Sequence, residues 1–197
     1  MKSPLLILSF LLLLFSCTKE NSLKERNIYQ IVSLLVDDFG RPFIPPPPPN
    51  EINTYTDIQL DSIFNQKQKI SIYPVFQKVN NKFSHKKAYD VEFNKLMDSL
   101  KDVYFDKKVD ISKIKINRPF NLSIIDTIKV RQDRRYLEEN FDKLLSFYNI
   151  SFNEKQTKAV TIIGVGMGTL NGYTSLVFLE KINGKWKIKG VDTFSIS

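Results

Sequence analysis

The last forty residues constrain the fold more than any other part of the chain. Ala159–Val165, Tyr173–Ile182 and Lys185–Phe194 are rich in β-branched and aromatic residues, a composition typical of strands. Asn183-Gly184 joins the second and third runs, and this pair favours a type I′ turn because both central residues need positive φ. The spacing therefore predicts a three-stranded antiparallel meander.

The final run alternates with a period of two. Its lysines and its apolar or small residues take turns along the chain: Lys185, Lys187 and Lys189 against Trp186, Ile188 and Gly190. Successive side chains of a strand point to opposite faces of the sheet. We therefore expect one solvated lysine face and one apolar face, with the meander packing that single face on helices.

Leu23–Phe39 has the pattern of an amphipathic helix. Its apolar residues recur at i, i+3, i+4 and i+7, namely Ile28, Ile31, Val32 and Leu35. Ser22 and Glu25 form a capping-box pattern at its start, and Gly40 with Pro42 ends it.

A second helix is predicted over Ala88–Val103, with Asp90 near its start. Lys69–Tyr73 and Leu122–Val130 are predicted to be strands, while Asp57–Phe64 is compatible with a short helix or a strand and Tyr136–Tyr148 is mixed. The prediction is an α+β domain over residues 23–197, with helices packed on a curved antiparallel sheet.

Residues 41–50 contain the five consecutive prolines Pro45–Pro49. Such a run adopts polyproline II and offers no amide donors to a sheet. We interpret it as a stiff crossing loop; the alternative is a ligand for an aromatic-lined recognition module.

The N-terminus has the three parts of an export signal. Lys2 supplies a positive charge, Leu5–Phe15 is an apolar run broken by one serine, and Leu14-Phe15-Ser16-Cys17 follows. A run of this length fits a signal peptide, whereas a membrane-spanning helix needs about 20 apolar residues. The last four residues resemble the lipobox of bacterial lipoproteins.

That resemblance implies removal of residues 1–16 and attachment of a diacylglyceryl group to the sulfur of Cys17, with residues 17–22 as a lipidated tether. Cys17 is the only cysteine, so the mature domain can form no internal disulfide or thiolate metal site. Thr18 replaces the aspartate that retains enteric lipoproteins at the inner membrane. The expected location is the outer membrane of the cell envelope, on either its periplasmic or its surface face.

Residues 150–189 are similar to uncharacterised envelope proteins of Bacteroidota-type bacteria, through Ser151-Phe152-Asn153, the glycine-rich stretch ending at Gly172, and Asn183-Gly184-Lys185-Trp186. The same hairpin also resembles the terminal strands of NTF2-like (cystatin-type cone) domains. This second resemblance implies helices on a curved sheet that often encloses a pocket.

Two basic clusters are candidate anion-binding sites in a chain of net charge +8. They comprise Lys78, Lys82, Lys86 and Lys87, and then Arg131, Arg134 and Arg135. The aromatic residues have the spacing of core positions, and nucleic acid is not expected as a partner of an envelope protein.

Gly164, Gly166 and Gly168 leave one strand face without side chains, which allows a bend or the floor of a small pocket. They lack the spacing of a phosphate-binding loop.

His85 is the only histidine, and it lies among lysines without a nearby carboxylate. A serine–histidine site or a histidine zinc site is therefore not supported, and we predict no catalytic residue, metal or cofactor. The leading hypothesis is a non-catalytic lipoprotein that binds a protein or small ligand. An enzyme with a pocket in an NTF2-like cone and an immunity or inhibitor lipoprotein are the alternatives.

Overall fold

The computed structural model describes residues 23–44, 55–79, 90–103, 107–133, 135–168 and 171–196. Several predictions concern residues outside these ranges: the signal and tether with Cys17, the cap at Ser22, the proline run, His85, Lys82, Lys86, Lys87 and Arg134. Within the described ranges the chain forms five α-helices and seven strands.

The helices are α1 (23–39), α2 (Asp57–Phe64), α3 (Val91–Ser99), α4 (Thr127–Gln132) and α5 (Tyr136–Asn140), and a 3₁₀ turn spans Ile111–Lys113. The strands are β1 (Gln68–Ile72), β2 (Phe120–Ile124), β3 (Lys143–Phe147), β4 (Ser151–Phe152), β5 (Lys158–Gly166), β6 (Gly172–Ile182) and β7 (Lys185–Ile196).

All strands belong to one open sheet with the order β2-β1-β3-β5-β6-β7, and β4 pairs with β5. The pairs β3–β5, β4–β5, β5–β6 and β6–β7 are antiparallel. The α+β class and the C-terminal meander are thereby confirmed. The expectation of a wholly antiparallel sheet is wrong at β1, which runs parallel to both β2 and β3.

Helices cover both faces of the sheet. The larger apolar core lies between α1 and one face, and it includes Ile163 of β5 and Val177 of β6. The smaller core contains α3, Ile162 and Phe178, whose side chains leave the same strands on the other face. The expectation that the meander packs only one face is therefore wrong for β5 and β6.

Capping residues decide two of the local structures. Thr56 and Gln59 form a reciprocal capping box, so the ambiguous segment Asp57–Phe64 is a helix. The predicted strand Leu122–Val130 is wrong beyond Ile124, because the Asp126 carboxylate accepts hydrogen bonds from the first amides of α4 and starts a helix there.

The hairpin turn has the predicted geometry. Asn183 and Gly184 have φ of 51° and 76°, and β6 and β7 pair on either side of them. The first helix also ends where expected: the amide of Gly40 donates to the carbonyl of Val36 at 2.9 Å.

Candidate functional site

A surface groove of about 740 Å³ runs beside α1. We call it the α1 groove. Three parts of the chain line it: α1, the segment 112–117, and the start of β7. The lining residues are Glu25, Arg26, Tyr29, Gln30, Ser33, Leu34, Asp37, Ser112, Lys113, Lys115, Asn117, Gly184, Lys185 and Trp186.

A polar stripe of α1 fixes the segment 107–117 against the helix. Glu25, Tyr29, Ser33 and Asp37 are four residues apart, so they lie along one line of the helix surface. The Glu25 carboxylate accepts hydrogen bonds from Lys107 Nζ (2.9 Å) and Lys113 Nζ (3.2 Å). The Tyr29 hydroxyl accepts one from Asp110 N (3.0 Å), and the Ser33 hydroxyl accepts one from Lys115 N (2.9 Å). The Asp37 carboxylate accepts one from Asn117 N (2.9 Å). The stripe thereby satisfies the backbone amides of Asp110, Lys115 and Asn117, beyond the short bridge that joins Lys108 to Val75.

Asn27 holds the β6–β7 hairpin against the first turns of α1. Its side chain is 1% exposed, and its amide nitrogen donates to Gln156 Oε1 at 2.6 Å. Its amide oxygen accepts from Lys181 Nζ at 2.7 Å and, less closely, from Trp186 Nε1 at 3.4 Å. The network joins α1, the turn before β5 and the hairpin at one end of the domain.

The charges at this end are mostly positive. The pKa of Lys181 is lowered by burial and then by the positive charge of Arg26. Hydrogen bonds from Lys107 and Lys113 hold the pKa of Glu25 below its usual value, and these two lysines balance the negative charge of its carboxylate. Within the described ranges, the charged groups of Arg26, Lys115 and Lys185 have no hydrogen-bonding or ion-pair partner.

A second groove, of about 680 Å³, lies at the opposite end of the sheet. Phe43, Met167, Asn171, Gly172, Tyr173, Thr193 and Ile196 line it.

The predicted anion-binding residues that the structure describes do not line the α1 groove. Lys78 is exposed, and Arg131 is exposed on α4. Arg135 is exposed and lies 3.8 Å from the Asp133 carboxylate. Sequence reasoning missed Arg26, Lys115 and Lys185 as a group, because it ranked clusters by adjacency along the chain.

The three glycines lie at the end of β5. Gly164 and Gly166 face Ser146 and Leu144 of β3 at ordinary contact distance. Gly168 has φ of 114°, and an added Cβ would lie 3.2 Å from the Glu138 carboxylate. The cavity beside Gly166 and Gly168 measures about 10 Å³, close to the space of one water molecule.

Lys143 is a buried cation that sequence reasoning also missed. Its ammonium donates to the carbonyl of Phe39 at 3.0 Å and to that of Arg41. These carbonyls lie at the end of α1, where the helix leaves acceptors unsatisfied. Burial lowers the pKa of Lys143 to about 8. The residue caps α1 and fixes the direction in which the chain leaves it.

No group of three or more histidine, cysteine, aspartate or glutamate side chains in the described part of the chain could hold a metal ion. Of the helices described, none has both the length and the apolar character needed to cross a membrane. No protein-family model, curated protein or solved structure shows significant similarity to this chain.

Proposed function

We propose that this protein is a lipid-anchored component of a bacterial cell envelope, located at the outer membrane, whose α+β domain binds a protein or small-molecule partner without catalysing a reaction. The anchor at Cys17 and the binding surface of the domain involve different residues. They are supported by different observations and are tested separately.

The anchor is supported by the N-terminal pattern. An apolar leader of signal-peptide length ends at the only cysteine of the chain, and Leu23, six residues later, is already helical. Two or more acyl chains hold a protein at a membrane, whereas one chain gives only marginal binding. A short tether followed at once by a helix is the arrangement that this anchor would use.

The α1 groove carries the binding part of the proposal. Tyr29, Leu34 and Trp186 give it apolar surface, and Arg26 with Lys115 gives it cations that lack partners in the described structure. A groove that combines aromatic surface with a few placed polar groups is typical of ligand sites. The chemistry favours a partner with an anionic group beside an apolar one, such as an acidic peptide segment.

The relationship to NTF2-like cone domains belongs to the same proposal. The β5–β6–β7 meander, with α1 packed against one face, supports it. The parallel strand β1 and the helix α3 on the other face are departures from the pattern that the resemblance implied.

The binding part is tested by site-specific photo-crosslinking in the producing bacterium. A photoreactive residue replaces Gln30, which is exposed in the groove, or Gln132, another exposed helical glutamine at the end of α4 that does not line it. We expect one discrete adduct from position 30 and none from position 132.

The partner identified by that adduct is then titrated against purified wild-type protein and Gln30→Trp, whose larger side chain would obstruct the groove. Binding to wild type and at least a tenfold loss with Gln30→Trp support the proposal. Equal crosslinking at both positions, or equal affinity of the two proteins, would show that the groove is not the binding surface.

A further inference from the structure

The end of the domain where α1 begins gathers cations from three separate segments. Lys24 and Arg26 are in the first described turn of α1, Lys155 is in the turn before β5, and Lys181 and Lys185 flank the tip of the β6–β7 hairpin. We call these five residues the basic end. The Asn27 network holds the three segments together, through its bonds to Gln156 and Lys181.

The acids nearby do not cancel this charge. Glu25 is shared by Lys107 and Lys113, at 2.9 and 3.2 Å, so it has its own counterions. Glu180 pairs with Lys189 at 3.3 Å. Glu92, which accepts a hydrogen bond from Asn153 in the turn before β5, and Asp90 both pair with Lys158. Among the described acids near this end, that leaves Glu154, exposed in the same turn, against the five cations of the basic end.

Chain length limits how far the basic end can lie from the proposed anchor. Residues 18–22 separate Cys17 from the first described residue of α1, and six steps of extended chain reach about 20 Å at most. The 17 residues of α1 described here extend about 25 Å along the helix axis. If Cys17 carries the lipid, the basic end is held within reach of the bilayer, whereas the C-terminal end of α1 can lie about 25 Å farther away.

We propose that the basic end docks on anionic lipid headgroups of the membrane that carries the anchor. Lysine and arginine side chains close to an anionic leaflet are attracted to it, and the attraction falls off within a Debye length of about 8 Å at physiological salt. In the docked state, the axis of α1 would point away from the membrane. The mouth of the α1 groove, at Arg26 and Lys185, would lie next to the headgroups. This inference depends on the lipid anchor of the proposed function.

Trp186 provides the reporter for a test. It is the only tryptophan of the chain, and it lies beside the basic end in the Asn27 network. Acylated protein purified from the producing bacterium is inserted into vesicles of phosphatidylcholine alone, or of equal parts phosphatidylcholine and phosphatidylglycerol. A small fraction of headgroup-spin-labelled lipid in each quenches nearby tryptophan emission.

Two charge-reversal variants with equal changes in net charge are compared. Arg26→Glu with Lys185→Glu alters the basic end. The matched control, Lys67→Glu with Lys69→Glu, alters exposed lysines at the start of β1. That strand start is at the other end of α1, because the neighbouring Ile70 pairs with Lys143, which caps the helix.

We expect quenching at least twofold stronger in the anionic vesicles, and its reduction to the neutral-vesicle level at 1 M salt, where the Debye length is about 3 Å. The basic-end variant should lose the difference and the control should keep it. Equal quenching of wild type in the two vesicles would overturn the proposal and leave an acidic protein as the occupant of this end.

The quenching of wild type, compared between the two vesicle types and the two salt concentrations, tests the docking even if the basic-end variant does not fold. The mass of the N-terminal peptide distinguishes a failure of the docking from a failure of the lipid anchor. An acylated Cys17 without lipid-dependent quenching defeats the docking alone, whereas an unmodified Cys17 defeats the proposed function.

Discussion

Replacing Asn27 by alanine tests whether one buried amide holds the groove end of the domain together. The substitution removes the hydrogen bond to the Lys181 ammonium at 2.7 Å and the bond to Gln156 at 2.6 Å. A bond to a charged group contributes about 1.5–3 kcal/mol and a neutral one about 0.5–1.5 kcal/mol. Because Lys181 keeps some access to water, we expect a loss in unfolding free energy of about 2–3 kcal/mol.

The assay is equilibrium unfolding in urea, followed by the fluorescence of Trp186. Asn121→Ala, at an exposed position of β2, is the matched control and should change the unfolding free energy by less than about 0.5 kcal/mol. A double-mutant cycle with Lys181→Met isolates the pair, and we expect a coupling energy of about 1 kcal/mol or more. Additive effects of Asn27→Ala and Lys181→Met would refute the network as described.

Three further outcomes are expected. Between pH 8 and 10.5, the unfolding free energy of wild type should rise relative to that of Lys143→Met, by at most about 1.4 kcal/mol per pH unit. The reason is that folded Lys143 releases its proton near pH 8, whereas the unfolded lysine releases it near 10.5. Urea unfolding across this range measures the difference between the two proteins, and a difference that does not change with pH contradicts the prediction. Gly40→Ala should lower the unfolding free energy by about 1–3 kcal/mol, because the new Cβ would lie 2.5 Å from the carbonyl oxygen of Val36 and 2.9 Å from the Phe120 ring. Thermal unfolding measures this loss, and an unchanged melting temperature would be evidence against the contact. Gly184→Ala should lower the unfolding free energy by about 1–2 kcal/mol, because the φ of 76° at this position is unfavourable for a residue with a Cβ, and Gly184→Asn should lower it less. Equal melting temperatures for the two variants would argue against backbone strain as the cause.

Elements with a local signal could be predicted from the sequence. The apolar spacing of α1 predicts a helix face, and the Asn183-Gly184 pair predicts a type I′ turn, because each of these structures is determined within a few residues. The parallel strand β1 has no such signal. Ile70 pairs with Leu122 on one side and Lys143 on the other, so its place depends on segments far along the chain.

The error after Ile124 has a local cause. Apolar residues continue through Ile125, Ile128 and Val130, and this run favours a strand. Asp126 interrupts it by accepting bonds from the amides of Ile128 and Lys129. A side-chain cap that competes with strand pairing decides the outcome, and residue propensities alone do not register it.

The candidate site was only partly visible in the sequence. Glu25, Tyr29, Ser33 and Asp37 form a regular polar stripe, but the polar face of an amphipathic helix is ordinarily solvated, and nothing local says which segment covers it. Lys143 gives no sign of burial, because its acceptor at Phe39 is 104 residues earlier in the chain. Both features arise from tertiary contacts.

The lipid on Cys17 is the central claim, because the location of the protein and the orientation of the α1 groove both depend on it. The direct measurement is mass spectrometry of the N-terminal peptide of protein purified from the bacterium that produces it. We predict a peptide that begins at Cys17 and carries a diacylglyceryl group on sulfur. A peptide that begins at Met1, or a Cys17 with a free thiol, would contradict it.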